Sequence, residues 1–157
     1  KGKIPNVLLI LTGKEDPAYK KKLDSYIKEH KLEKYVKYLI FFGEREKLRN
    51  LYKTADVGLY PIGKQGGVLA PVENLCAGVP IIVSSEMETA SLIKKNNLGI
   101  VTQEYDKAIW DIYNNKEKYN KHVKEALKFV KANLTWKAYS ENMLKAFKDA
   151  WKKHKKN

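Results

Sequence analysis

Cysteine is almost missing from this 157-residue chain: Cys76 stands alone. A single thiol excludes an internal disulfide, and its place among apolar helical residues leads us to expect buried packing. Arginine is nearly missing too. Arg45 and Arg49 are the only two, although lysine and arginine together number 31 against 18 acidic residues, a net charge of +13. Proteins that read nucleic-acid bases rely on the planar fork of arginine. The lysines here are scattered instead of forming one stripe, so no nucleic-acid partner is expected. Two readings of the excess remain: a solvated surface, or attraction to an anionic membrane surface or acidic substrate. There is no run of about 18 apolar residues of the kind that spans a bilayer. The opening residues show no charged-then-apolar leader pattern. With the lone cysteine, this leads us to expect a cytoplasmic location, peripheral at the membrane where the lysines act. His30, His122 and His154 are far apart in polar, helical surroundings. We expect them on the surface and expect no metal site. No Ser-His-Asp or Cys-His arrangement is readable.

What is present is an alternation of strand and helix patterns, which argues for an α/β layer fold with a parallel sheet. Asn6 to Thr12 is a continuous apolar run, expected to be a strand buried on both faces. Asp16-Pro17 reads as a helix N-cap followed by proline, and that helix is expected to reach about Lys31 with Leu23 and Ile27 inward. Further strands are expected over residues 38–42, 56–60, 80–84 and 98–102. Helices are expected over 45–54, to Ala77, and over 89–95. From Glu104 onward only helical periodicity remains: 105–113, 118–133 and 136–151, with Asn133 as a C-cap and Thr135 as an N-cap. The expected architecture is one domain over 1–157, a Rossmann-like doubly wound parallel sheet of about five or six strands flanked by helices, closed by C-terminal helices.

Chemistry concentrates between Gly58 and Val83. An apolar strand enters a loop with Gly63, Gly66 and Gly67; a short helix carries Glu73 in its first turn; Gly78-Val-Pro80 leads into another apolar strand. In parallel sheets the ligand crevice lies beyond the carboxyl ends of the strands. Glycines let loop amides face an anion there, and a helix N-terminus favours the same charge. Pro71 suits the first turn, where its missing N–H is no loss. Glu73 has two readings: a carboxylate that accepts both hydroxyls of a ribose diol, or a plain complement to the helix dipole. Lys64 is either a phosphate partner or a solvated lysine.

The same stretch resembles the donor-binding signature of the group 1 retaining glycosyltransferases, a GT-B family. Asn74-Leu-Cys-Ala-Gly-Val-Pro-Ile-Ile82 is similar to that family's run after its second glutamate, which Glu73 matches. Leu9-Ile-Leu-Thr-Gly-Lys14 resembles a strand and glycine turn beside the donor. Phe42-Gly-Glu-Arg45, Leu51 to Pro61, Asn97 to Val101 and Leu134-Thr-Trp-Lys137 follow in the family's order. The resemblance covers about residues 6–151 and implies one half of a GT-B fold, the C-terminal donor-binding domain.

It also implies roles. Glu73 would bind the donor's ribose; Gly66, Gly67, Val68 and Leu69 would offer loop amides; Gly43, Glu44 and Arg45 would border the base; Gly13 and Lys14 would line the crevice. The substrate would be a UDP-, GDP- or ADP-sugar, with no cofactor and no metal. A hexose would pass, with retained configuration, to a glycan, lipid or similar acceptor. That acceptor would be held by an N-terminal domain outside this chain, and the fragment alone would be inactive. Three departures stand out. Gln65 occupies the position of the first glutamate, making it a neutral candidate at the catalytic position. Gly67 and Val68 replace the usual phenylalanine and glycine. The upstream unit with the diphosphate-gripping Arg and Lys is not in the sequence, and Lys3 does not match it. These departures keep a second function open, a non-catalytic nucleotide-sugar-binding module on the same fold.

Overall fold

The computed structural model describes residues 4–13, 16–39, 45–64 and 69–155. Its contacts divide the chain into two compact units, Lys1–Leu51 and Tyr52–Asn157. In the first, β1 (Leu9–Thr12) and β2 (Val36–Leu39) pair in parallel, Leu9 opposite Val36, with α1 (Pro17–Glu29) as the crossover between them. Asp16 caps α1 as its sequence predicts, its carboxylate accepting the Tyr19 N–H at 2.7 Å. The helix ends two residues before the expected Lys31, which instead adopts a left-handed turn at φ 54°. Ile27 is buried on the inner face and Lys20 lies over the Tyr38 ring at 4.3 Å. The expectation that residues 6–12 are buried on both faces fails. Val7, Leu8 and Leu9 stay exposed, Leu9 at 41%, and Ile10 and Leu11 are only half-buried, since among the described residues neither of the hydrophobic clusters that cover the faces of a parallel strand includes β1. The expected strand over 38–42 lies partly outside the described residues; its described part starts earlier, at Val36.

The helix α2 (Arg45–Thr54) matches its expected span. In the second unit, β3 (Gly58–Tyr60), β4 (Ile81–Val83) and β5 (Ile100–Val101) form a parallel sheet with β4 central. The five expected strands are thus present, but as a two-stranded and a three-stranded parallel sheet, since no described strand ladders onto the second edge of β1 or of β3. Successive β4 side chains point to opposite faces, so each face of the sheet gains its own core. Ile81 and Val83 pack with Leu75 of α3 (Ala70–Cys76) and with Val123, Ala126 and Val130 of α6 (Lys116–Asn133). Ile82 packs on the other face with Ala108 and Ile112 of α5 (Tyr105–Asn114). Helices on both faces are what a doubly wound α/β fold requires. Between β4 and β5, α4 (Ala90–Lys95) buries Ala90 and Ile93. Gly99 is needed for close approach: a Cβ there would fall 2.9 Å from the Ile81 carbonyl oxygen.

The last helix, α7 (Trp136–His154), is capped by Thr135, whose hydroxyl accepts the Ala138 N–H at 3.2 Å. Asn133 is the last residue of α6 instead of its cap; Leu134 takes that place. Among the described residues no helix is long and apolar enough to cross a membrane.

Candidate functional site

The three-stranded sheet gathers polar groups at its carboxyl edge. Tyr60 ends β3, Ser84 follows β4, and Thr102 and Gln103 follow β5. Because the strands are parallel, all these chain ends leave the sheet on the same side. The buried Ser84 hydroxyl oxygen accepts the Glu86 N–H and the Gln103 side-chain amide, each at 3.1 Å. The Gln103 amide also donates to Ser85 Oγ at 3.1 Å, while the Tyr105 hydroxyl donates to Gln103 Oε1 at 2.8 Å. This network turns the chain after β4 toward the loop after β3. A Cβ built on Gly63 would lie 3.6 Å from Glu86 Oε2. Sequence reading missed this cluster; its signal was the Ser84-Ser85-Glu86 run directly after an apolar strand.

The α3 helix sits against the same edge. Its first residue follows Leu69, which gives no side-chain cap, and Pro71 lies buried in the first turn as expected. Glu73 is exposed in that turn, and its N–H donates to the Leu69 carbonyl at 3.0 Å. Asn74, next to it, is 3% exposed. Its side-chain amide donates to Tyr60 Oη at 3.0 Å, and the Tyr60 hydroxyl donates to the Ala70 carbonyl at 2.9 Å. Gly58 makes room for this lock: a Cβ there would stand 1.8 Å from Asn74 Nδ2. Burial pushes the Tyr60 phenol well above its usual value, so Tyr60 stays a neutral donor. Burial, and then the negative charge of Glu73, also raise Tyr52. Two phenols therefore stand in the field of the Glu73 carboxylate.

Of the residues singled out from sequence, the structure brings Leu69 and Glu73 together at the start of α3. Gly13 closes β1 with φ 127°, a conformation suited to glycine, and Arg45 opens α2, exposed. Lys14, Gly43, Glu44, Gln65, Gly66, Gly67 and Val68 lie outside the described residues. Two expectations need correction. Cys76 is exposed, because α3 turns its neighbour Leu75 to the core and leaves the thiol on the outer side. His122 is half-buried on α6, and that burial lowers its pKa, whereas His30 and His154 are exposed. Among the described residues no group of histidine, cysteine and carboxylate side chains could hold a metal ion.

No curated protein matches the chain. Among solved structures, sucrose-phosphate synthase from Thermosynechococcus elongatus superposes with a TM-score of 0.79 at 22% identity, over 94% of this chain and 39% of that one. HepE from Anabaena, solved with UDP and glucose, gives 0.77 at 21% identity, over 94% and 41%. The C-terminal domain of the group 1 glycosyltransferase LpcC from Francisella tularensis gives 0.75 at 16% identity, over 85% and 73%. The chain thus spans about two fifths of the first two proteins and most of an isolated C-terminal domain, with the Rossmann-like half of their GT-B fold. The family model for group 1 glycosyl transferases matches residues 1–129, and the chain belongs to that family.

Proposed function

We propose that this chain binds the nucleoside diphosphate part of a UDP-, GDP- or ADP-sugar and forms the donor half of a retaining hexosyltransferase. Glu73 carries the reading: an exposed carboxylate in the first turn of α3, at the carboxyl edge of a parallel sheet, with its neighbour Asn74 locked inward. It accepts both hydroxyls of the ribose. Loop amides from Gly66 to Leu69 meet the diphosphate, residues 43–45 border the base, and Gly13 and Lys14 line the crevice. Gln65 faces the sugar as a neutral hydrogen-bonding group. Leaving-group charge is met electrostatically, without a metal. An N-terminal domain outside this chain holds the glycan, lipid or similar acceptor, and the isolated chain does not turn over. The family match and the structure of HepE bound to UDP-glucose support this reading.

Calorimetric titration with UDP, GDP and ADP tests it. One of the three binds, and Glu73→Ala costs about 2 kcal/mol, roughly thirtyfold, as expected for hydrogen bonds to a charged group. Unchanged affinity in Glu73→Ala would sink the assignment. The neutral Gln65 favours a second reading, a non-catalytic binding module; turnover of a nucleotide sugar by the protein together with its acceptor domain rules that out. The lysine excess and the exposed Trp136, Phe147 and Trp151 of α7 support attachment at the cytoplasmic face of an anionic membrane. Co-sedimentation with acidic vesicles that fails at low salt would remove that part.

A further inference from the structure

The helix that carries Glu73 is only seven residues long, about two turns, and the residue before it supplies no side-chain cap. A helix this short is not fixed by its own hydrogen bonds. Its first turn must be held by the sheet. Pro71 buries its ring there, and the polar holding group is the Tyr60 hydroxyl, which donates to the carbonyl of Ala70, the first helical residue, and accepts from Asn74 one turn further on. Glu73 lies in the turn that these two bonds span. Asn74 points inward and is nearly fully buried; Glu73 points outward and is exposed. The outward carboxylate therefore takes its position from the inward amide. The missing side chain at Gly58 is what lets Asn74 come this close to the strand, since a Cβ there would fall 1.8 Å from its Nδ2.

We propose that Tyr60 is a positioning residue that sets where the Glu73 carboxylate meets the ribose diol, and so sets how well the protein distinguishes ribose from deoxyribose. The inference rests on the ribose-binding reading of Glu73. The Tyr60 ring packs with the core and its hydroxyl is engaged by Ala70 and Asn74, so it acts through α3. Removing the hydroxyl alone leaves the ring in place and lets the first turn of α3 drift. A carboxylate displaced by a few tenths of an ångström no longer accepts both hydroxyls with good geometry.

The test is the ratio of dissociation constants for 2′,3′-dideoxy-UDP and UDP, by calorimetry on the wild type, Tyr60→Phe and Glu73→Ala. Should another base bind best, the same pair is used with that base. The wild type is expected to favour the ribonucleotide at least about tenfold, and Glu73→Ala to abolish the preference. Tyr60→Phe should lower the ratio at least threefold while leaving dideoxynucleotide affinity within about twofold. A ratio unchanged in Tyr60→Phe, or equal losses for both nucleotides, overturns the positioning role while leaving Glu73 as the ribose ligand. A wild-type ratio of one overturns the ribose reading and this inference together. If Tyr60→Phe does not fold, Asn74→Ala removes the other partner of the same hydroxyl, and the same ratio is read.

Discussion

Gly58→Ala is the sharpest test of how α3 is seated. The added Cβ would meet Asn74 Nδ2 at 1.8 Å, Asn74 Cγ at 2.8 Å and the Tyr60 ring at 3.2 Å. The first two are far inside contact distance, and Asn74 is buried with little room to swing. Gly58 has no positive φ, so the backbone accepts alanine and the cost comes from the collision with Asn74 and what it displaces. Overpacking of this kind costs about 1–3 kcal/mol, and losing the Asn74 to Tyr60 hydrogen bond adds about 1 kcal/mol. The sum, about 2–4 kcal/mol, lowers Tm by roughly 4–16 °C for a chain of this size. Urea unfolding followed by circular dichroism measures it. The same substitution in an Asn74→Ala background provides the control, because the obstructing amide is gone. There the cost of the added methyl should fall below about 1 kcal/mol, leaving a coupling energy of over 1 kcal/mol. If Gly58→Ala is as stable as the wild type, or costs the same in both backgrounds, Asn74 does not fill the space beside Gly58 and the lock on α3 is wrong.

Ile82→Ala removes a fully buried side chain from the middle of the central strand and should cost about 2–5 kcal/mol. Leu9→Ala, at an apolar strand position left 41% exposed, should cost about 1 kcal/mol or less, and equal losses at the two sites would contradict the burial difference. Cys76 should react with a thiol reagent in the folded protein without denaturant, as an exposed residue does; labelling only after unfolding would return it to the core. The hydroxyl of Tyr119, and then Lys118, hold the Asp111 carboxyl below the usual carboxylate range. Its contribution is therefore present above the ordinary pKa and is lost as pH falls through the lowered value, so Asp111→Asn should flatten the stability profile below about pH 4.

The sequence was most legible where periodicity and caps agree. The 45–54 helix, the Asp16 and Thr135 caps and the continuous apolar run that buries Ile81 to Val83 follow from local rules. Strand ends were less legible, because a ladder stops where its partner stops, and an apolar run records only what favours burial. Residues 6–12 show the limit: the run reads as a central strand, while the described ladder covers one edge. At the candidate site, the sequence makes legible that Glu73 stands in the first turn of α3, while its ribose role comes only with the family resemblance. Tyr60 and Asn74 read as ordinary members of a strand and a helix, since a hydrogen bond across fourteen residues has no periodic signature. Glu86 and Gln103 escaped for the same reason. Cys76 reads as a core residue because one helical step separates a core leucine from a surface thiol, and composition cannot resolve a step of about 100°.

The exposed face of α7 has an optical consequence. The three tryptophans are Trp110, Trp136 and Trp151, with fractional exposures of 37%, 85% and 61%. None sits in the packed interior around β4. The emission of the folded protein should therefore already lie near the wavelength of hydrated indole, and melting the core will hardly move it. Two of the three fluorophores sit on one helix, near its two ends, so a blue shift at constant fold becomes a selective signal that another surface has covered α7.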